Sequence, residues 1–174
     1  GEFTALNGTE NKPEINIEKL NEIASAYAIG RDIHVGDTIL GTKGRVGFEA
    51  AAALITIKAH HLLEKHTATK WQLQHKEYLS SFYGMHLHEG QYLDPVMRDM
   101  EAVLQSSQKM VSGSVVVTLK PYHFSLDGLI SKHDLMSSEF STYGEENKAW
   151  NADDAKGFIK ILGNQNKIYQ QVNS

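Results

Sequence analysis

Apolar and polar positions alternate along this chain in two distinct rhythms. Asn16 through Tyr27 carries Ile17, Leu20, Ile23, Ala24 and Tyr27 at helical spacing, with Asn16 placed to cap the start and Gly30 to follow the end. Phe48 to His66 repeats the pattern with Ala51, Ile55, Ala59, Leu62, Leu63 and His66 on one face. Thr69-x-x-Gln72 reads as a capping box opening a third helix, whose stripe is Trp71, His75, Tyr78 and Phe82, with Leu79 adjacent. Asp94-Pro95 opens a fourth, continuing through Met97, Met100, Val103 and Leu104 to about Lys109. The rhythm then changes: S-V-V-V-T-L from Ser114 to Leu119, bounded by Gly113 and Pro121, predicts a strand, and Tyr122 to Ile130 its hairpin partner. Ser137 to Asn151 reads as a loop, and Asp153 to Val172 as a last helix with Asp153-Asp154 at its cap. At the other end, Glu2 to Leu6 predicts a short strand closed by Asn7-Gly8, with Thr9 to Glu14 as a connector. The pattern predicts an α+β fold: several packed helices, a small antiparallel sheet and a C-terminal helical arm.

Between the first two helices lies the densest run of turn-forming and charged residues. Ile29 to Glu49 holds five glycines, two arginines, a lysine and two aspartates, with Asp32–Val35 and Thr38–Leu40 as possible short strands. Gly41, Gly44 and Gly47, with Lys43 and Arg45 between them, resemble an anion-facing loop aimed at a helix N-terminus, where N–H groups and the macrodipole favour negative charge. The spacing follows neither the dinucleotide fingerprint nor the P-loop. On pattern alone the simpler reading is a tight connection with solvated basic residues.

Composition narrows the class. A chain of 174 residues fits one domain, or one domain with an arm, and can bury a substantial core. It has no cysteine, which excludes disulfides and thiolate metal sites and fits the cytoplasm. The net charge of −4 shows no basic face for nucleic acid, and no apolar run approaches the ~20 residues that span a bilayer. Gly1-Glu2-Phe3 lacks an initiating methionine, as expected of a processed or excised chain. The polar tail from Asn164 suits a frayed end or an arm on a partner subunit. Nine histidines raise a metal site, but there is no H-E-x-x-H; His86-x-His88 is the nearest pair, and ordinary histidines are the simpler reading. Asp32 and Asp37 bracket His34 with no nucleophile tied to them.

Four segments in order carry a resemblance. G-R…G-x-K-G-R-x-G-F-E from Gly30 to Glu49 is similar to the G-R-x-D-x-x-E-N-R-x-x-G-x-K-S-R-G-x-Y-E segment of argininosuccinate synthases. Leu20-Asn21-Glu22-Ile23 resembles the helix before it, Val111-Ser112-Gly113-Ser114-Val115 the family's V-T-G-x-V, and Asp154-Ala155-Lys156-Gly157-Phe158-Ile159 its D-A-x-G-F-I. The resemblance runs to about Leu162. It implies an enzyme that uses ATP to adenylate the ureido oxygen of citrulline, releasing pyrophosphate, before the aspartate amine displaces AMP. The family's S-G-G-x-D-T-S pyrophosphate loop has no counterpart here, since the single Ser-Gly is Ser112-Gly113. The resemblance therefore implies the C-terminal synthetase part over 1–162 and an oligomerisation arm over 163–174 of a homotetramer. An N-terminal nucleotide-binding domain would hold ATP and magnesium, and the part alone would be inactive. Arg31, Lys43, Arg45 and Glu49 match the motif; Gly36 stands in its glutamate column with Asp37 beside it, Thr38 replaces an arginine, Gly44 a serine, and Phe48 takes the tyrosine's place. Asp37, Arg45 and Phe48 are the substrate-binding residues this implies, with no metal ligand. The alternative is a stand-alone oligomeric domain binding a small anion at Gly41–Gly47.

Overall fold

The computed structural model describes residues 2–137 and 149–174. Among them are six α-helices and three two-stranded antiparallel sheets, an α+β fold ending in a helix. The chain divides into two compact units, Gly1–Asp134 and Leu135–Ser174. The first holds β1 (Ala5–Leu6), β2 (Thr9–Glu10), α1 (Pro13–Ser25), β3 (Arg31–Asp37) and β4 (Lys43–Glu49). It continues with α2 (Ala51–Thr67), α3 (Lys70–His88), α4 (Pro95–Ser107), β5 (Ser114–Lys120) and β6 (His123–Ile130).

Asn7 and Gly8 both adopt positive φ, the two-residue turn that their side chains tolerate best, and so fold Thr9–Glu10 back as a strand instead of a connector. Helix α1 starts earlier than the sequence predicts. Pro13 occupies its first turn, and Asn16 lies inside it, fully buried. The Asn16 amide donates to the Phe3 carbonyl at 2.9 Å and accepts from Asn11 Nδ2 at 3.2 Å. A residue expected to cap the helix thus pins the N-terminal hairpin against it. Leu20 and Ala24 of the expected stripe are buried, whereas Ile17 and Ile23 are exposed.

Helix α2 packs on α1 through Ala51, Ala52 and Ile55 against Leu20, Ala24 and Ile29. Alanines at the contact let the two backbones approach closely. No side chain of its own caps α2; Asn21 of α1 accepts from the Ala52 N–H at 3.4 Å. Gly30, beyond the end of α1, has φ +80°, and a Cβ there would lie 2.6 Å from the Ala51 nitrogen. Its role is close approach to the start of α2, not termination of α1.

The predicted β5–β6 hairpin is present; Val115, Val117 and Leu119 alternate inward, and Val117, Leu119 and Phe124 cover the α1–α2 core. A bulge leaves Asp127 unpaired between Leu126 and Gly128. The Tyr122 N–H donates to the Tyr27 carbonyl at 2.7 Å, fastening the β5–β6 turn to the end of α1.

Helix α3 has the predicted reciprocal capping box at Thr69 and Gln72. Its expected stripe is the wrong one: Trp71, His75, Tyr78 and Phe82 face outward, and the half-buried line is Leu73, Lys76, Leu79, Tyr83 and His86. The inward set rotates because Lys76 is drawn to a carboxylate on α2 and Tyr83 Oη donates to Glu101 of α4 at 2.9 Å. Polar partners, not hydrophobicity, set the facing. Helix α4 is as predicted, with Asp94 accepting from the Val96 N–H at 2.9 Å and Met97 and Met100 buried.

The second unit holds a 3₁₀ turn (Leu135–Ser137), α5 (Ala152–Leu162) and α6 (Asn164–Val172). The single helix predicted over 153–172 is broken at Gly163. Asn151, not the Asp153-Asp154 pair, is the cap, accepting from Asp153 and Asp154 N–H groups, while Asp154 returns a bond to the Asn151 N–H at 3.0 Å. Most of the loop expected at 137–151, with Gly144 and Glu145-Glu146, lies outside the described residues.

Candidate functional site

The glycine-rich run folds as the β3–β4 hairpin. Seven residue pairs run from Arg31↔Glu49 at its base to Asp37↔Lys43 near its tip, and the Thr38–Thr42 turn closes it through a 2.8 Å hydroxyl–hydroxyl bond. Lys43 to Glu49 is strand, so the expected anion loop at Gly41–Gly47 is a turn and half a ladder. Gly41 alone of its three glycines has positive φ. The N-terminus of α2 lies at the hairpin's base, where the Ala50 N–H donates to the Gly30 carbonyl at 2.9 Å, and not beside that turn.

Side chains alternate across a strand, so register decides which of them meet. Arg31, Ile33, Val35 and Asp37 share one face with Glu49, Gly47, Arg45 and Lys43. Asp32, His34 and Gly36 share the other with Phe48, Val46 and Gly44. The candidates Asp37 and Arg45 are therefore diagonal neighbours on one face, and Phe48 is on the opposite one. The bracketed trio Asp32, His34 and Asp37 is split the same way. A Cβ at Gly36 would lie 2.6 Å from His34 Nε2, so a carboxylate-bearing side chain there would require the imidazole to swing aside.

Two cross-strand ion pairs organise the first face: Arg31 Nε to Glu49 at 2.9 Å and Lys43 Nζ to Asp37 at 2.5 Å. Both are exposed and add little stability. Arg45 stands opposite Val35 and, among the described residues, has no ion pair or side-chain hydrogen bond. It is the uncompensated cation of that face. At the base, Arg31, Asp32, Ile33, Gly47, Phe48 and Glu49 line an open concavity of about 630 Å³. The missing side chain at Gly47 opens it. Phe48 belongs to this concavity; Asp37 and Arg45 lie nearer the tip.

Residues 1–169 match the arginosuccinate synthase C-terminal domain. The chain belongs to that family. Argininosuccinate synthase of Xanthomonas campestris pv. campestris is 35% identical over 173 residues, 99% of this chain and 43% of that protein. Argininosuccinate synthase of Dictyoglomus turgidum is 35% identical over 164 residues, 94% of this chain and 41% of the relative. The enzyme of the same name from Dehalococcoides mccartyi is 33% identical over 168 residues, 97% and 41% respectively. The chain thus spans about two fifths of the curated relatives it matches.

A second polar cluster of this family member was not anticipated. Glu64 of α2 is buried, its side chain 3% exposed, and is held by Lys76 of α3 and by Gln108 Nε2, which donates at 2.7 Å. Gln108 Oε1 accepts from His60 Nε2 at 2.8 Å, so the other ring nitrogen, 3.7 Å from Glu64, carries the lone pair while the ring is neutral. Burial pushes the Glu64 carboxyl up, but the Lys76 and Gln108 hydrogen bonds and the nearby charges outweigh it and hold it below its ordinary value. Burial likewise lowers the His60 pKa, against the opposing pull of Glu64. The helical spacing of His60 and Glu64 was the available signal; Lys76 comes from α3 and Gln108 from the residue that ends α4. His86 Nδ1 donates to the Phe82 carbonyl at 3.0 Å within α3. Among the described residues, no three His, Asp or Glu side chains gather as a metal site, and no helix is long and apolar enough to cross a membrane.

Proposed function

We propose that this chain is the C-terminal part of a cytoplasmic argininosuccinate synthase, an ATP-dependent ligase of arginine biosynthesis that joins citrulline and aspartate. Membership of the family across residues 1–169 supports this most. The nucleotide and its magnesium belong on an N-terminal domain. This chain contributes one wall of the citrulline site, with its C-terminal arm, 163–174, supplying contacts in a homotetramer. By itself it is inactive.

Asp37 and Arg45, diagonal on one hairpin face, offer an anion and a cation to a zwitterionic amino acid. Arg45, with no other side-chain partner among the described residues, takes a carboxylate; Asp37 exchanges its exposed lysine for an ammonium group. Phe48, on the other face, lines the base concavity and supplies an apolar wall there. These residues bind and orient; none donates or removes the proton of the reaction.

The test joins the chain to the N-terminal domain of a relative and measures citrulline-dependent pyrophosphate release. Arg45→Ala and Asp37→Ala should each raise the KM for citrulline by about 10-fold, the loss expected for one charge-assisted hydrogen bond. Activity unchanged by both variants refutes the role of this face. A chain stabilised against heat by phosphate but not by citrulline, with no pyrophosphate release, favours instead a stand-alone anion-binding domain.

A further inference from the structure

Register gathers this chain's departures from the motif onto one face of the hairpin. Gly36, in the column of the motif's glutamate, and Phe48, in that of its tyrosine, both share a face with Asp32, His34, Val46 and Gly44. That face therefore lacks a carboxylate and a phenol hydroxyl that the motif places there. Asp37 does not restore the carboxylate, since it lies on the opposite face and is bonded to Lys43. Asp32 is two same-face rows from Gly36, about 13 Å along the strand, and turns one oxygen to the Ile33 N–H at 2.7 Å. One side chain does enter the vacant space. His34 Nε2 lies 2.6 Å from where a Cβ of Gly36 would be, with Cδ2 and Cε1 at 3.4 and 3.5 Å, so the imidazole reaches along the strand with that nitrogen foremost. Among the described residues, neither of its ring nitrogens has a hydrogen bond or an ion pair. Directly opposite stands Val46, where the motif has glycine, and its branched side chain flanks the ring. Next to the ring, the Gly36–Gly44 pair exposes bare backbone, closed toward the tip by the Thr38 methyl, 3.3 Å from where a Gly44 Cβ would lie. Glycines within a ladder let another molecule approach the backbone closely.

We propose that His34 is a specificity-determining residue of the citrulline site, its imidazole accepting a hydrogen bond from the substrate's ureido group in the space that Gly36 leaves. This deepens the reading of the hairpin as one wall of that site and rests on it, but not on Asp37 or Arg45. With its proton on Nδ1, a neutral imidazole presents Nε2 as an acceptor to a ureido N–H. The ureido oxygen, the atom that is adenylated, is left unencumbered. Phe48, diagonal to His34 on the same face, offers its ring to the aliphatic part of the substrate. The acceptor is uncharged, and that sets the preference. A carboxylate at position 36 would attract a cationic guanidinium more strongly than a neutral ureido group, because its hydrogen bond to the cation is charge-assisted. An imidazole there gives the cation no such advantage.

The test again joins the chain to a relative's N-terminal domain. His34→Leu keeps the bulk and removes the acceptor, and should raise the KM for citrulline about 10-fold at little cost to kcat. His34 is exposed, so the thermal melt of this variant should stay within a few degrees of wild type. His34→Gln, whose amide oxygen reaches the same place, should stay within about 3-fold of the wild-type KM. Gly36→Glu alone should be impaired, because its side chain and the imidazole claim one space. His34→Ala combined with Gly36→Glu should recover most of the citrulline affinity and, now carrying a charge, bind arginine about 10-fold tighter relative to citrulline. A KM for His34→Leu within about 2-fold of wild type, a His34→Gln as damaged as His34→Leu, or a double variant no better than Gly36→Glu would overturn the role of His34 and leave the citrulline reading standing. Loss in His34→Leu with neither Asp37→Ala nor Arg45→Ala affected supports His34 and places the substrate on its face alone. Where the fusion releases no pyrophosphate, the 174-residue chain decides by NMR. Citrulline should shift the His34 ring signals, identified by their loss in His34→Gln, and leave those of His75 in place; a spectrum unchanged by citrulline would end this inference together with the citrulline reading.

Discussion

Replacing Lys76 with methionine keeps the hydrocarbon stem and removes only the ammonium group. In the wild type that group satisfies one oxygen of Glu64, while Gln108 satisfies the other. Without it the carboxylate, 3% exposed, retains one neutral donor and little water. Removing one partner of a buried pair costs about 3–5 kcal/mol. Lys76 is itself 14% exposed, so water reaches the vacated position and the loss should sit near the lower limit, about 3 kcal/mol. With a urea m-value of about 2 kcal/mol/M, the midpoint should fall by roughly 1.5 M with the slope unchanged. Adding Glu64→Gln removes the stranded charge yet keeps an acceptor for Gln108, and should return about 2 kcal/mol. A midpoint shift under about 0.3 M, or a double variant no better than Lys76→Met, would sink the claim that this cluster joins α2, α3 and α4. The pH dependence has a definite sign. The Glu64 carboxyl is held below its ordinary value, so its contribution is present above the carboxylate range and is lost as pH falls through it. His60 binds its proton less readily folded than unfolded, so stability also falls as pH drops below the ordinary histidine value. The wild-type midpoint should decline from pH 7 to pH 4, and the deficit of Lys76→Met should shrink over the same range.

Three further substitutions probe the frame around the hairpin. Gly30→Ala introduces a Cβ 2.6 Å from the Ala51 nitrogen at a φ of +80°, and should destabilise by about 2 kcal/mol or more in urea melts. Asn16→Leu leaves the Phe3 carbonyl without its buried donor; a loss of about 1–3 kcal/mol should come with faster amide exchange in β1 and β2. Asn151→Ala removes the capping box of α5 and should cost about 1 kcal/mol of local helix stability, seen as faster exchange at Asp153 and Asp154 and an unchanged midpoint for the first unit.

The local elements were legible because their signals are local. A capping box, a proline in a first turn, an Asn-Gly pair and a run of β-branched residues each act within a few positions, and each stands where the sequence places it. The four ordered motifs likewise determined family membership without any coordinates. Facing was another matter. The outward aromatic seam of α3 obeys helical periodicity as well as its inward line does, and only Lys76 reaching Glu64 and Tyr83 reaching Glu101 decides between them. Asn16 reads as a cap until the N-terminal hairpin supplies the carbonyl that buries it. The glycine-rich run carries the same ambiguity at its most consequential. Residue types alone permit a phosphate loop, a connector or a hairpin. Pairing β3 with β4 chooses the hairpin, and its two-residue period then puts Asp37 and Arg45 together, leaves Arg45 uncompensated and turns Phe48 to the other side. Sequence determined which residues are available; strand register, a property of two segments at once, decided which of them can touch one ligand.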